Sequence, residues 1–248
     1  MRRFTIAPER VEGGRVEFDR EESRHLARVV RLRPGAVIIA TDGAGRDYTV
    51  RLDEIGERAV GHVLFVSSGP AESPLAVTLV QGVPKGDKME AIVRAVTELG
   101  VARVAPALCE RTVVRLEPSG WRERTRRWNR VAREAAKQAG RAVIPVVEEP
   151  RPLDAWLETA QASLALCCWE GEPTPLAHLL SRLTAPQTAS VIIGPEGGLS
   201  RAEVERASTA GWQIAGLGPR ILRTETAAPA VLAILQSRFG DLGAGRPA

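Results

Sequence analysis

Cysteine, histidine, lysine and aromatic residues are all scarce in this chain, and none of its apolar runs is long. Three cysteines stand among 248 residues. Cys109 is alone, and Cys167 and Cys168 are neighbours inside an apolar run, a placement that suits small buried side chains and builds no disulfide framework. His25, His62 and His178 are scattered, and no Cys/His spacing of a zinc site occurs, so no metal is expected. The longest apolar runs, Ser163–Trp169 and Ser190–Ile193, fall far short of the roughly 20 residues that cross a bilayer. The start, Met1-Arg2-Arg3-Phe4-Thr5, leads into charged sequence without the apolar core of a signal peptide. A reducing, cytoplasmic setting is the expectation.

What the chain has instead is arginine. Of its 34 basic residues all but Lys85, Lys88 and Lys137 are Arg. The formal net charge is +4, and its excess sits in the middle: residues 71–150 hold 14 basic and 10 acidic side chains, whereas 151–248 hold 8 and 9. The planar guanidinium fork suits phosphate, so the balance permits an anionic partner. A genome that prefers Arg codons over Lys codons would give the same composition.

Two domains are expected from the length. Residues 1–70 read as mostly β, with strands at 36–41, 46–53 and 58–67 and one helix from Asp19 to Arg33. Asp19 followed by Glu22 fits a capping box, and Leu26, Val29 and Val30 make the apolar face. Thr41-Asp42-Gly43-Ala44-Gly45 looks like a fragment of a nucleotide-binding glycine loop. Such a loop must open a helix; here Arg46–Leu52 alternates like a strand, so the loop reads as a hairpin. The stretch Ser67–Pro74 is linker-like. From residue 75 strands and helices alternate: strands at 75–82, 101–108, 143–147, 163–169, 190–194 and 213–217, helices at 87–99, 120–139, 152–160, 173–183, 200–210 and 228–239. That rhythm implies a parallel sheet covered on both faces, spanning about 71–240, with 241–248 as a loose tail.

Three segments carry the chemistry. Gly194-Pro195-Glu196-Gly197-Gly198-Leu199-Ser200 follows an apolar strand and opens a helix that Ser200 and Glu203 can cap. Its glycines let backbone amides approach a ligand beyond the carboxyl end of a parallel strand; an ordinary strand–turn–helix link would look alike. Leu217-Gly218-Pro219-Arg220-Ile221-Leu222-Arg223-Thr224-Glu225-Thr226-Ala227 gathers two arginines, a carboxylate and two hydroxyls at a helix start, which suits an anion or simple capping. Trp121–Arg141 places Arg122, Arg126, Arg130 and Arg133 along one helix side beside Trp121 and Trp128, with Ala132, Ala135, Ala136 and Ala139 on another. Arg24, Arg28 and Arg31 make a second basic stripe. Either stripe could grip phosphates or be a solvated face.

Taken together these residues resemble the 16S ribosomal RNA uridine-N3 methyltransferase family, a branch of the SPOUT, or trefoil-knot, methyltransferases. The resemblance runs from Arg3-Phe4 and His25–Leu32 through Lys85-Gly86-Asp87-Lys88-Met89-Glu90, Thr97–Val101, Arg127-Trp128, Glu134–Gln138 and Arg141. It closes on Gly194–Gly198 and Leu217–Ala227, whose order and spacing are the most specific. It implies a PUA-like β-barrel followed by a knotted parallel-sheet α/β domain, homodimers with the site at the subunit interface, and S-adenosylmethionine held by backbone groups. The matching cofactor positions are Trp169 and Glu170 after the 163–169 strand, then Gly194, Pro195, Glu196, Gly197 and Gly198, then Leu217, Gly218, Ile221, Leu222 and Thr226. RNA-contacting candidates are Arg3, Arg24, Arg28, Arg31, Lys85, Lys88, Arg126, Arg127, Arg130, Arg133 and Arg141, the partner being 16S rRNA in the 30S subunit.

Methyl transfer to uridine N3 would need removal of the N3 proton and stabilisation of the resulting imide anion. Arg223 is the candidate for the anion, and Glu225 or Glu196 for the proton. A SPOUT enzyme acting on a ribose 2′-hydroxyl, and a non-enzymatic RNA-binding protein with a PUA-like domain, are the two competing readings.

Overall fold

The computed structural model describes residues 3–70, 72–160, 162–172 and 174–244. The chain forms two compact units. The first is the chain up to Glu72 together with Ala136–Ile144; the second is Ser73–Ala135 together with the chain from Pro145 onward.

The first unit is a six-stranded mixed sheet. Its strands are β1 (Arg3–Thr5), β2 (Val11–Glu12), β3 (Arg15–Glu17), β4 (Val37–Thr41), β5 (Arg46–Ile55) and β6 (Ala59–Ser68). They lie in the order β1-β4-β5-β6-β3-β2, with β1 parallel to β4 and the other pairs antiparallel. This is the half-barrel form of the expected PUA-like barrel. Phe4, Phe18, Leu26, Ile38, Val50 and Leu52 close its core. The loop 42–45 is a hairpin, as its alternating flanks require: Asp42 Oδ1 accepts from the amides of Ala44 (2.8 Å) and Arg46 (3.0 Å).

The helix expected from Asp19 to Arg33 is shorter and irregular. α1 covers Arg20–Arg24, and His25–Val29 then make one π turn, closed by Val30 N donating to His25 O at 3.0 Å. Asp19 caps it, accepting from Glu22 N at 2.8 Å. The capping box is only half made, because the Glu22 carboxylate turns away to Thr5 and Lys137. The wider turn also corrects the apolar face. Leu26 is fully buried and Val30 half-buried, but Val29 is 72% exposed. With about 4.4 residues per turn, the position above Leu26 is Val30, and Val29 swings out.

In the second unit, β7 (Ala76–Gly82), α2 (Lys88–Glu98), β8 (Val101–Leu108), α3 (Pro118–Ala139, of which this unit holds the part up to Ala135), β9 (Val146–Val147), β10 (Arg151–Pro152) and α4 (Leu153–Thr159) come first. β11 (Leu164–Cys168), α5 (Leu176–Ser181), β12 (Thr188–Ile193), α6 (Arg201–Thr209), β13 (Gln213–Ala215) and α7 (Thr224–Phe239) follow. The sheet is parallel throughout, ordered β10-β8-β7-β12-β11-β13, with β9 also on β8. Period-two alternation feeds both faces. In β11, Leu164, Leu166 and Cys168 join the cluster with α2, α3, α5 and α7, whereas Ala165 and Cys167 join that with α4 and α6.

Several boundaries differ from expectation, among them that of α5, expected at 173–183 and observed at Leu176–Ser181. The strand expected at 143–147 shrinks to β9, because Val143 bridges Ala44 and Ile144 N donates to Gly43 O at 3.0 Å, both in the first unit. Lys137 on Glu22 (2.7 Å) and Arg141 on Glu72 (2.6 Å) fasten the same segment there. A linear division at residue 70 leaves 136–144 with the second domain; these contacts assign it to the first unit. The last helix begins at Thr224, four residues before the expected 228, and carries Pro229 inside it. A proline there removes one hydrogen bond, to the Glu225 carbonyl, and the rest of the helix packs on the sheet regardless. Residues 245–248 of the expected tail, and Pro173 of the helix expected at 173–183, lie outside the described residues.

Candidate active site

Three loops leave the carboxyl ends of β11, β12 and β13 and enclose a cavity of about 420 Å³. The strands deliver Cys168, Ile193 and Gly216 to its floor; Trp169 and Glu170, Gly194–Glu196 with Gly198, and Leu217–Glu225 form its walls. Glycine is required where these loops pass one another. A Cβ on Gly216 would lie 2.3 Å from the Glu172 carbonyl oxygen, an immovable backbone atom. Gly198 has φ +70°, and a Cβ there would meet Glu170 Oε1 at 2.5 Å. α6 begins directly behind this loop. Glu203 N donates to Ser200 Oγ (3.2 Å) and Ser200 N to Glu203 Oε2 (2.8 Å), so the expected capping box is complete.

A buried polar knot sets the start of α7 against the Gly194 loop. Thr224 Oγ1 donates to Gly194 O at 2.7 Å and accepts from Gln81 Nε2 at 2.8 Å. Gln81 is wholly buried at the end of β7. The sequence carries a signal for it, an amide closing the apolar run Leu-Ala-Val-Thr-Leu-Val-Gln, which pattern reading passed over. No side chain caps the start of α7, leaving its first amides free for an anion.

The three catalytic candidates, Arg223, Glu225 and Glu196, all line the cavity. Glu196 is fully engaged: Lys88 Nζ donates at 2.9 Å, and Lys85 N reaches both carboxylate oxygens at 3.1 and 3.3 Å. Burial alone would raise its pKa, but the Lys88 ammonium and the amides of Glu196 and Lys85 outweigh it and hold the carboxyl below its ordinary 4.5. Glu225 differs. Its Oε2 is buried without a hydrogen bond among the described residues, and Lys88 Nζ stands 3.8 Å away. Arg223 makes no ion pair or side-chain hydrogen bond among the described residues. Burial pushes the Cys168 thiol up to about 12, so it is an inert part of the wall.

Ten of the twelve cofactor candidates line this cavity. Gly197 turns its carbonyl outward to Arg111 Nη1 (2.8 Å), and Thr226 is exposed; both stand outside its lining. Lys88, placed among the RNA contacts by sequence, lines the cavity. An ammonium at the start of α2 opposes the helix dipole, and its two carboxylate neighbours compensate it. Cys168, Ile193, Leu199, Gly216, Pro219, Arg220, Thr224 and Ala227 line it too, unflagged individually because each also reads as an ordinary strand end or turn residue.

The sequence matches the family model described as an RNA methyltransferase domain over residues 71–236, and that described as an RNA methyltransferase PUA domain over residues 18–60. The chain belongs to the RNA methyltransferase family. Several relatives are named ribosomal RNA small subunit methyltransferase E. That of Bacillus subtilis is 33% identical over 214 residues, 84% of each chain. That of Synechocystis is 34% identical over 234 residues, 93% of this chain and 76% of the relative. Among solved structures, a Legionella pneumophila methyltransferase with SAM bound has TM-score 0.89 at 30% identity, covering 97% of this chain and 98% of that one. A ribosomal RNA small subunit methyltransferase E from Neisseria gonorrhoeae, bound to S-adenosyl methionine, has TM-score 0.87 at 33% identity, covering 97% and 99%. The second unit thus has the parallel-sheet α/β fold of SPOUT methyltransferases.

RNA methyltransferases must also hold RNA, and the remaining arginines divide by their partners. Arg126, Arg130 and Arg133 of α3 are exposed and make no ion pair among the described residues, and the same is true of Arg24, Arg28 and Arg31 in the first unit. Lys85 is exposed, with its amide on Glu196. Three candidates are committed elsewhere. Arg3 is half-buried and forks onto Asp47. The Arg141 side chain is 10% exposed and holds Glu72 through Nε (3.0 Å) and Nη2 (2.6 Å). Arg127 pairs with Glu90 at 2.7 Å. A guanidinium already satisfied by a carboxylate has less to offer a phosphate. Among the described residues no three His, Cys, Asp or Glu gather as a metal would need, and no helix is long and apolar enough to cross a membrane.

Proposed function

We propose that the chain transfers the methyl group of S-adenosylmethionine to N3 of one uridine in the decoding region of 16S rRNA, as a step in small-subunit maturation. The observation that carries this reading is the cavity at the ends of β11, β12 and β13, in a chain whose fold matches two structures holding that cofactor. Its volume lies within the range of small-molecule sites. Gly194, Gly198, Gly216 and Gly218 line it, and glycines, having no side chain, leave main-chain groups open to a ligand. When bound, the cofactor supplies an activated methyl on a sulfonium, so no metal is required. Names of the relatives support rRNA of the small subunit as substrate. The knotted topology, a homodimer with the site at its interface, and a cytoplasmic location belong to the same proposal.

The residues divide the chemistry as follows. Uridine N3 carries a proton, and its lone pair is delocalised, so attack requires that the proton leave. Glu225 is the better acceptor of the two carboxylates. Its Oε2 is buried without a donor among the described residues, whereas Glu196 is saturated by Lys88 and the Lys85 amide and is a weakened base. Glu196 and Lys88 instead hold the loop and keep a cation near Glu225. Arg223, whose side chain has no ion pair or hydrogen bond among the described residues, and the uncapped helix amides at the start of α7 stabilise the charge delocalised onto the uracil oxygens. The N3–C bond forms as the S–C bond breaks, and the N3 proton ends on Glu225. Because N3 is the pairing edge, the base must stand unpaired.

The test is to incubate 30S subunits with isotope-labelled S-adenosylmethionine and map the label by mass spectrometry. Label in 3-methyluridine is expected. Label in a 2′-O-methyl ribose supports the sister reading, and a protein that folds yet binds no cofactor supports the non-enzymatic one.

A further inference from the structure

The start of α7 carries Arg223 and Glu225, and its own helix holds it weakly. No side chain caps it, and Pro229 leaves the Glu225 carbonyl without its helical donor. The amides of Thr226 and Ala227 both donate to the Arg223 carbonyl at 2.8 Å, bonds within the turn itself. The tie to the rest of the cavity comes from Thr224, whose hydroxyl donates to the Gly194 carbonyl just past the end of β12 (2.7 Å).

A hydroxyl has one proton and can turn it to either side. Gln81 removes that freedom. Its Nε2 donates to Thr224 Oγ1 at 2.8 Å, which leaves the Thr224 proton for Gly194. The amide cannot be reversed, because the same nitrogen faces the Gly82 carbonyl at 3.0 Å and an oxygen there would oppose it. This orientation leaves Gln81 Oε1 buried without a hydrogen bond among the described residues, which is destabilising. An apolar side chain would fill the place without an unpaired acceptor, so the donor is what this position supplies. Gly82 lets the strand end come close enough: a Cβ there would lie 2.5 Å from Pro195 N.

We propose that Gln81 and Thr224 are positioning residues for methyl transfer: the chain of hydrogen bonds from Gln81 through Thr224 to Gly194 sets Arg223 and Glu225 at a fixed distance from the Gly194–Gly198 loop, and so from the methyl donor. The inference rests on the reading of Arg223 and Glu225 as the groups that act on the uridine, and adds the residues that act through them. The loop itself depends on neither side chain. β12 stays in register with β7, Ile193 beside Gln81. Gly198 N donates to Pro195 O at 2.9 Å, and Lys85 N and Lys88 Nζ hold Glu196. Loss of the tether therefore moves the catalytic pair and leaves the cofactor loop in place.

The experiment compares wild type, Thr224→Val, Thr224→Ser and Gln81→Met by thermal unfolding, by calorimetric titration with S-adenosylmethionine, and by single-turnover methyl transfer to 30S subunits at saturating cofactor, below the Tm of every variant. Thr224→Val keeps the shape and removes the hydroxyl. It is expected to slow transfer about 30-fold, inside the roughly 10²-fold that a misplacement of about 1 Å costs, with the cofactor Kd within about threefold of wild type. Gln81→Met, which frees the hydroxyl to turn, should slow transfer about fivefold, and Thr224→Ser, which keeps the hydroxyl, should recover about half the wild-type rate or more. A merely structural role would lower Tm and leave the rate of the folded protein unchanged. If wild type methylates 30S subunits and the folded Thr224→Val and Gln81→Met do so at its rate, this inference is overturned alone; should Thr224→Val not fold, Gln81→Met at the wild-type rate overturns it. Cofactor affinity that falls as far as the rate overturns it as well. If wild type transfers no methyl group, the functional reading falls and takes the inference with it.

Discussion

The cavity of the second unit and the outer face of α3 use the same side chains in opposite ways. In the cavity, Lys88 is claimed by Glu196 at 2.9 Å and faces Glu225 at 3.8 Å, and backbone amides complete the Glu196 shell. On α3, Arg126, Arg130 and Arg133 are exposed without an ion pair among the described residues. Arg127, one residue from Arg126, pairs with Glu90. Exposed pairs contribute only about 0–1 kcal/mol, so stability does not account for the pattern. Pairing in the cavity fixes where atoms stand for a reaction, and lack of pairing on the helix leaves charge for a polyanion. Substitutions in the two regions should therefore fail differently, the first in turnover and the second in salt-dependent affinity.

The largest expected effect is at Arg223. Arg223→Ala should lower kcat by about 10²–10³-fold, the usual loss when a donor to a developing anion is removed, with cofactor affinity within about twofold of wild type. Near-normal turnover in a 30S methylation assay would remove Arg223 from the mechanism. Next is Gly216→Ala, whose Cβ meets the Glu172 carbonyl oxygen. It should destabilise the second unit by about 1–3 kcal/mol and weaken cofactor binding, read by urea unfolding and calorimetry; wild-type stability would mean that the loop crossing is looser than its geometry. On the helix side, Arg130→Ala should raise KM for 30S subunits about fivefold at 0.15 M salt and leave kcat alone. A fall in kcat at unchanged KM would erase the contrast between the regions.

The smallest effects are silences. Glu196 is held below its ordinary 4.5, so its contribution is complete above that value and is lost only as pH falls through the lower folded value. Cofactor affinity should stay flat from about pH 8 down to about pH 5; a decline beginning near pH 6 would mean another group governs the cavity. Burial pushes Cys109 and Cys168 up to about 12 and raises Cys167 further. Native protein at pH 8 should leave a thiol reagent unreacted until it unfolds.

The second unit was almost fully legible in the sequence, because strands buried on both faces and amphipathic helices write their periods plainly. Gly194–Ser200 was legible for the same reason, a strand ending in glycines before a capped helix. What escaped depends on contacts distant in sequence. Lys88 reads as a surface cation until Glu196, 108 residues on, is brought beside it. The carboxylates that hold Arg141 and Arg3, Glu72 and Asp47, are likewise distant in sequence. Short strands such as β2 and β10, two residues each, carry no period at all. The π turn escaped because one inserted residue shifts a helix face without altering composition, and it moved Val29 from the expected core to solvent.

Glu225 tests the account most directly, since its Oε2 lies buried in the cavity without a donor among the described residues. Glu225→Gln should be titrated with S-adenosylmethionine by calorimetry and then mixed with 30S subunits in a single-turnover reaction. The account predicts cofactor affinity within about twofold of wild type and methyl transfer slower by about 10²-fold or more. Transfer at the wild-type rate would contradict it.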